Sequence, residues 1–589
     1  MKKMLLLTLF GLTLSVSEAQ NSSALLKTAS TASFGAVNSS NFKYLDLNNV
    51  NAGISNRSDM NFGGTSTATY EVPKGSGKNT NFASALWIGG YDNANQLHGG
   101  AQTYRQNGND FWPGPLDTIT ATIDTAVAIT YDKIWKVSYT DINTFITAFN
   151  SGSIIATPDM LTWPAHGTGN YTRNLAPFVD YNGDGIYNPN DGDFPKIKGD
   201  QALYFIYNDK LAAHGTNYAP MGIEVHAMAY AYGCSGAVGG RPELTYTTFY
   251  DYKIINRSVN NYHDVFVSMW NDFDLGYYND DYIGCNVADN YGYGYNSNST
   301  DPTYGNYPPA QGYAIVKGPI ANLADGIDNN NNGQIDELNE DCKLSKFTYY
   351  NNNLAGNPIQ MSDPATFNQY YGYMTGFWKD GSPFTCGGTA YTGTNTGTPT
   401  NWAYTGDVNT GISTATNSSC GSANWTESTA GIIGGDRRLI INSGPFSLNA
   451  GQMQEVEYAF VTSFDSTSTT NANLLSVAKL KTDVQKINAY YNLINKPNCF
   501  LTIGITELLK QNDFMLYPNP AKSVITIKST LEGSATIDYD VIDVLGKTII
   551  KNETTNLNFN INIADLNSGI YFLRLKINNS IVVKKFVKE

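Results

Sequence analysis

The segment DYNGDGIYNPND, residues 180–191, sets oxygen-bearing side chains at alternating positions. Asp180, Asn182 and Asp184 fall at places 1, 3 and 5 of a calcium loop, Gly185 at 6, Ile186 at 7 and Asp191 at 12. Alternate oxygens let a short loop wrap one hard cation. The glycine permits the sharp bend, and Ile186 would contribute its carbonyl. Asp191 stands where the EF-hand pattern carries Glu, and a shorter carboxylate is less easily bidentate. No flanking helices are expected, so the segment matches the loop and not the whole hand. A plain Asn/Gly turn is the alternative. DGIDNNNNGQIDE, residues 325–337, is a second candidate, with Asp328, Asn330, Asn332 and Gly333 in register. Asp336 or Glu337 would close the ring, because place 12 is Asn339. The expectation is structural Ca2+ at both, weaker at the second.

A third acidic stretch, WNDFDLGYYNDD at 270–281, puts Asp272 and Asp274 on one face of a strand with Asp280 and Asp281 just beyond. Two carboxylates beside aromatics are the equipment of a glycosidase acid and base. They equally suit a third calcium site or a solvated strand end. Glu224 is a further candidate, since Glu224-Val225-His226 sets two possible ligands on one strand face. Structural readings are preferred for all three carboxylates. No HExxH occurs among the five histidines (His98, His166, His214, His226, His263), and no GxSxG elbow is present, so neither a zincin nor an α/β-hydrolase is indicated. GSGKNT at 75–80 lacks the earlier glycine of a phosphate loop, where Val72 stands, and has Asn79 in place of Ser or Thr.

These residues need a β-rich frame to hold them. The chain has 589 residues with 40 Tyr and 55 Gly, and only 15% are charged, a profile of turn-rich sheet and not of a helical cytosolic enzyme. The formal charge of −14 argues against nucleic acid and is compatible with divalent cations. Long aromatic and β-branched runs begin at Ala202 (ALYFIYND, GIEVHAMAYAY, LTYTTFYDYKIINRS, DVFVSMWNDFDLG) and return as DRRLIINSGPFSL and EVEYAFVTSF. Earlier runs at 121–130 and 133–140 are also strand-like. Val477, Leu480, Val484, Ile487, Tyr491 and Ile494 recur at helical steps, and Asn495-Lys496-Pro497 ends that helix. The Thr/Gly/Asn-rich segment 391–422 is expected to be a long surface loop. Six cysteines without a CxxC suggest disulfides and not zinc, with Cys386 and Cys420, which bracket part of this loop, as the favoured pair.

The expected division is a signal peptide at 1–19, a loose leader at 20–41, and an N-terminal β region with the first calcium-type loop at 42–201. A larger β-sandwich region at 202–495 ends in the helix, followed by a linker at 496–512 and a C-terminal module at 513–589. Lys2 and Lys3, an apolar core at 4–14 and Ser17-Glu18-Ala19 carry the signal-peptide reading. No later stretch reaches about 18 apolar residues, so no transmembrane segment is expected. The last module reads as seven short alternating strands (FMLYP, SVITIK, TIDYDVID, KTIIK, LNFNINI, IYFLRLK, IVVKKFV), enough for a small immunoglobulin-like sandwich, with Asp538 and Asp540 on a solvated face. The fold class is all-β, a multi-domain sandwich cargo with one late amphipathic helix plus this tail.

In order and spacing, YPNP at 517–520, DVLGK at 543–547, LNSGIYFLRL at 566–575 and the basic run VVKKFVK at 582–588 resemble the type A C-terminal sorting domain of type IX secretion cargo in Bacteroidetes. The resemblance implies engagement of the secretion machinery by 513–589, export across the outer membrane, removal of the tail, and attachment to surface lipopolysaccharide or release. More loosely, YEVPKGSG, ALWIGGYD, FWPGPLD, WPAHG, DYNGDGIYNP and GDRRLIINSGPF resemble phrases of large exported Bacteroidetes proteins, a likeness that implies no activity. Asp117-Thr118-Ile119, Asp124-Thr125-Ala126 and Asp465-Ser466-Thr467 resemble the O-glycosylation tripeptide of such exports. The sequence thus points to a calcium-stabilised, non-catalytic surface module for adhesion, glycan binding or structure. A secreted polysaccharide hydrolase using Asp272, Asp274 or Glu224 is the alternative. Trp87, Trp112, Trp163 and Trp270 would suit sugar stacking if exposed and core packing if not.

Overall fold

The computed structural model describes residues 41–64, 67–233, 241–352, 358–391, 397–415, 419–421, 424–493, 514–529, 537–543, 547–577 and 580–589. The expected signal peptide, nearly all of the leader, the linker, the helix stop at Asn495-Lys496-Pro497, Ile494, Cys234, Cys499 and most of DVLGK lie outside those residues. Two compact units are present, 1–485 and 486–589.

The first unit is built on two large antiparallel sheets. One has ten strands and runs from Lys346–Asn351 through Arg437–Leu448, Tyr262–Asp272 and Ala83–Asp92 to the short strands of residues 42–81. The other has nine and runs from Asp281–Asn286 through Tyr291–Asn296, Ala310–Lys317, Met453–Ser463, Thr247–Asn256 and Ile223–Ala231 to Gln201–Asn208, with Trp112–Pro113 and Trp135–Ser138 at its end. Each sheet therefore draws strands from both sides of residue 201, so the boundary expected at 201/202 falls inside one folding unit. The long central strands are buried along nearly their whole length, as strands covered on both faces must be. Rings from both sheets share the interior: Trp87 stacks on Trp270 at 5.9 Å, and Tyr70 meets Phe460 at 6.1 Å. Trp87, Trp112, Trp163 and Trp270 are all core residues, at most 5% exposed, which removes them as sugar platforms. Burial of these rings stabilises the sandwich, and the Trp87 indole N–H is satisfied by the Gln102 carbonyl at 2.9 Å.

Several local expectations change. Residues 125–130 are helical, not strand-like, and the second run yields the strand Trp135–Ser138 and then the helix Tyr139–Asn150. A capping box starts that helix: Ser138 Oγ accepts the Asp141 N–H, and Asp141 Oδ2 accepts the Ser138 N–H. Its buried stripe is Ile142, Phe145 and Ala148. The segment 391–422 is not a surface loop where it is described. Trp402, Ala403 and Tyr404 enter the core, where Tyr404 Oη lies 2.9 Å from Tyr349 Oη. Cys386 and Cys420 are joined as a disulfide, while Cys285 and Cys342 are buried free thiols. The late helix is Ala472–Tyr491, and it buries Val477, Leu480, Val484 and Ile487, with Tyr490 replacing the expected Tyr491.

The second unit holds the tail. Its seven strands form a three-stranded sheet (Phe514–Tyr517, Val524–Ser529, Phe559–Asn562) and a four-stranded one (Thr548–Thr554, Ile537–Ile542, Gly569–Ile577, Ser580–Lys588). Ile525, Ile527 and Ile561 from the first pack with Ile537, Val541, Leu573, Leu575 and Phe586 from the second. Asp538 is exposed, whereas Asp540 is covered by Arg574, its direct partner in strand register, which grips both carboxylate oxygens.

Candidate functional site

Both calcium-type loops are closed like hairpins. Residues 180–193 lie between the paired strands Phe178–Val179 and Phe194–Pro195, and residues 321–340 lie inside a bridge between Ile320 and Asp341. The same internal bonds recur in each. At place 1, Asp180 accepts the N–H of Gly185 at 2.8 Å and Asp328 that of Gly333 at 2.8 Å. At place 3, Asn182 accepts from Asp184 N and Asn330 from Asn332 N, both at 3.0 Å. At place 5, Asp184 accepts from Ile186 N at 2.7 Å and Asn332 from Gln334 N at 2.8 Å. Gly185 and Gly333 have φ of 75° and 90°, a left-handed bend that a side chain would strain. In each loop a carboxylate downstream of the pattern takes the N–H of place 2. Asp193 receives Tyr181 N at 2.8 Å, and Glu340 receives Asn329 N at 2.6 Å. Both of these anchors are buried, and neither belongs to the twelve-residue pattern.

The ring-closing residues differ. In the second loop Glu337 Oε2 accepts Asn330 Nδ2 at 2.9 Å and Asn332 Nδ2 at 2.6 Å, so it converges with places 3 and 5. Asp336 turns away to accept Gly326 N at 3.0 Å. In the first loop Asp191 Oδ2 bonds Asn188 Nδ2 at 2.6 Å. The first loop is braced from outside by the WPAHG segment: His166 Nε2 takes Tyr187 N at 3.0 Å, and His166 Nδ1 lies 2.7 Å from the Arg173 carbonyl. Arg173 in turn donates to the Gly185 carbonyl at 2.9 Å.

The carboxylates proposed for catalysis do not share a site. Asp272 ends its strand in the ten-stranded sheet, and Glu224 lies in a central strand of the nine-stranded one. Both are fully buried. Asp272 Oδ2 accepts Tyr104 Oη at 2.5 Å and Arg438 Nη2 at 3.2 Å. Asp274 lies past the strand end, with an oxygen within 4.8 Å of oxygens of Asp272 and Asp436. Glu224 accepts His226 Nε2 and Arg257 Nη2, each at 2.7 Å, on Oε1, and Leu116 N at 2.7 Å on Oε2. Burial alone would raise the Glu224 carboxyl, but His226 and Arg257 outweigh it and hold it at about 2. A residue kept ionised that firmly is poorly suited to donate a proton.

One cluster escaped sequence reasoning. Lys198 Nζ lies 2.9 Å from Asp251 Oδ2, 2.8 Å from Glu457 Oε2 and 3.3 Å from Glu455 Oε1. Three acids at metal-ligand spacing are thus served by a lysine of the same chain. Burial still pushes the Asp251 carboxyl up, to about 7, against the pull of Lys198.

Residues 515–589 match the family described as the secretion system C-terminal sorting domain. No curated protein matches the chain. Among solved structures, a polysaccharide lyase is similar at a TM-score of 0.19 and 6% identity, over 67% of this chain and 37% of that chain. A score of that size does not establish a shared fold, and the chain spans well under half of that structure's length. Among the described residues, no helix is long and apolar enough to cross a membrane. The matched residues are the seven-stranded second unit but for its first strand residue, and with them the chain is a cargo protein of the type IX secretion system, exported to the cell surface or beyond it.

Proposed function

We propose that the cargo is a non-catalytic structural or adhesive module, displayed at the surface or released, with Ca2+ bracing its two hairpin loops. The observation that carries this reading is the fate of the polar chemistry. Asp272 and Glu224 are spent on buried ion pairs, while the loops that carry unspent oxygens stand at the surface. Loop bonds that already aim three successive side chains support cation binding, since the ordering cost is met before the ion arrives. A glycan ligand would find its aromatic contacts in the exposed rings of Tyr181, Tyr277 and Tyr307, because the tryptophans named above are inside. Removal of the tail and attachment to lipopolysaccharide follow from the sorting-domain resemblance and belong to the same proposal.

The test is a polysaccharide depolymerisation screen of the purified chain and its Asp272→Asn and Asp274→Asn variants, alongside a glycan array. The expected result is no turnover by any form. Depolymerisation that either substitution abolishes without unfolding the chain would replace this reading with a hydrolase.

A further inference from the structure

Between Asp272 and Asp281 the chain leaves the ten-stranded sheet and enters the nine-stranded one. Oxygens of Asp272, Asp274 and Asp436 lie within 4.8 Å of one another at this crossing. Two oxygens bound to one Ca2+, each at 2.3–2.6 Å, stand no farther apart than about 5 Å. Asp281 is tied to the same place from two sides. Its carbonyl accepts the N–H of Gly435, beside Asp436, at 3.0 Å, and its Oδ2 accepts the N–H of Leu275, beside Asp274, at 3.1 Å. Asp281 is wholly buried, and its Oδ1 meets no hydrogen-bond partner.

Charge makes the arrangement costly as it stands. Arg438 serves Asp272 Oδ2 through Nη2 and Asp436 Oδ1 through Nη1, at 3.2 and 2.6 Å. One guanidinium among four carboxylates leaves an excess of three negative charges in the interior, and buried charge without compensation is strongly unfavourable. Burial and the neighbouring Asp280, Asp274 and Asp301 push the Asp281 carboxyl well above the usual range. A shared proton would cancel one charge; a divalent cation cancels two and supplies the missing partner of Asp281 Oδ1. We propose that a divalent cation of the calcium type sits at this crossing, held by Asp272, Asp274, Asp281 and Asp436. There it would pin the edge of one sheet to the edge of the other, a role separate from bracing surface loops.

Equilibrium dialysis of the full chain against 45Ca2+ tests this in a background with both hairpin loops disabled (Asp180→Asn, Asp184→Asn, Asp328→Asn, Glu337→Gln). That background should retain one ion per chain. Adding Asp281→Asn, or Asp274→Asn should the first variant not fold, should remove it while the far-ultraviolet circular dichroism is unchanged. A folded loop-disabled chain that binds no Ca2+, or one that keeps its ion after either added substitution, overturns the site. Because the loops are already silent, loss of their binding is read separately, from the parent chain.

Discussion

Arg438 stands directly opposite Asp272 in the antiparallel register, and its guanidinium meets that carboxylate at 3.2 Å with both side chains wholly buried. Their strands lie side by side in the larger sheet although 166 residues separate them in sequence. Removing one partner leaves the other charge stranded in the interior. Arg438→Ala should therefore cost about 3–5 kcal/mol of stability. Urea unfolding followed by tryptophan fluorescence reads this, and a loss under about 1 kcal/mol would refute the assigned importance of the pair.

Calcium in the hairpin loops predicts stabilisation by mass action. At a hundredfold excess over Kd each occupied loop adds about 2.7 kcal/mol. Chelator should lower the Tm of the parent chain. The shift should shrink in Asp184→Asn and in Asp328→Asn, more in the former, whose loop has a carboxylate at place 5 where the second loop has Asn332. Differential scanning calorimetry with and without chelator decides it.

The Cys386–Cys420 bridge closes a separation of 34 residues. Chain entropy alone assigns such a loop roughly 3–4 kcal/mol of stabilisation. Replacing both cysteines with serine should lower the unfolding midpoint correspondingly. Buried Cys285 and Cys342 should resist alkylation in the folded chain; rapid labelling of either by a thiol reagent would show that the core around it opens easily.

Acid should loosen the Glu224 cluster. Its carboxyl sits at about 2 when folded, against an ordinary 4.5. A depressed carboxyl stabilises the fold above the unfolded value and loses that contribution as pH falls through the folded one, so the loss belongs between about pH 4.5 and 2. The amount is on the order of 3 kcal/mol. Glu224→Gln should flatten the pH dependence of stability in that window and leave its shape above pH 5 unchanged.

Deleting residues 515–589 should abolish appearance of the cargo outside the cell and leave it in the periplasm. Immunoblots of cell fractions and medium test this. Unchanged external protein would show that another segment directs its export.

What the sequence reveals here depends on how locally each feature is encoded. The tail strands were legible because Ile525, Ile527 and Leu573, Leu575 alternate with polar residues over runs too short for anything but a half-buried strand. The calcium-type loops were legible because their internal bonds join residues two to five apart. Their buried anchors, Asp193 and Glu340, were not, since each lies beyond the pattern and acts through backbone N–H groups that any residue supplies. The helix 139–150 hid behind the strand-like Trp135 and Val137; only the Ser138–Asp141 spacing marked its start. Trp402 and Tyr404 lie in a stretch whose composition is that of a loop, yet two large rings were enough to draw it into the core. Lys198 with Asp251, Glu455 and Glu457, and Arg438 with Asp272, join strands that are neighbours only after folding, and no window of sequence contains them.

The order in which strands fill the larger sheet bears on how the protein is made. Tyr262–Asp272 has Ala83–Asp92 on one flank, but its other flank stays bare until Arg437–Leu448 has been synthesised. A chain halted before that point would present a long apolar edge with unmet backbone donors and acceptors, a template for self-association. Fragments ending short of residue 437 are therefore expected to precipitate, and recombinant work on this cargo should keep residues 42–491 together.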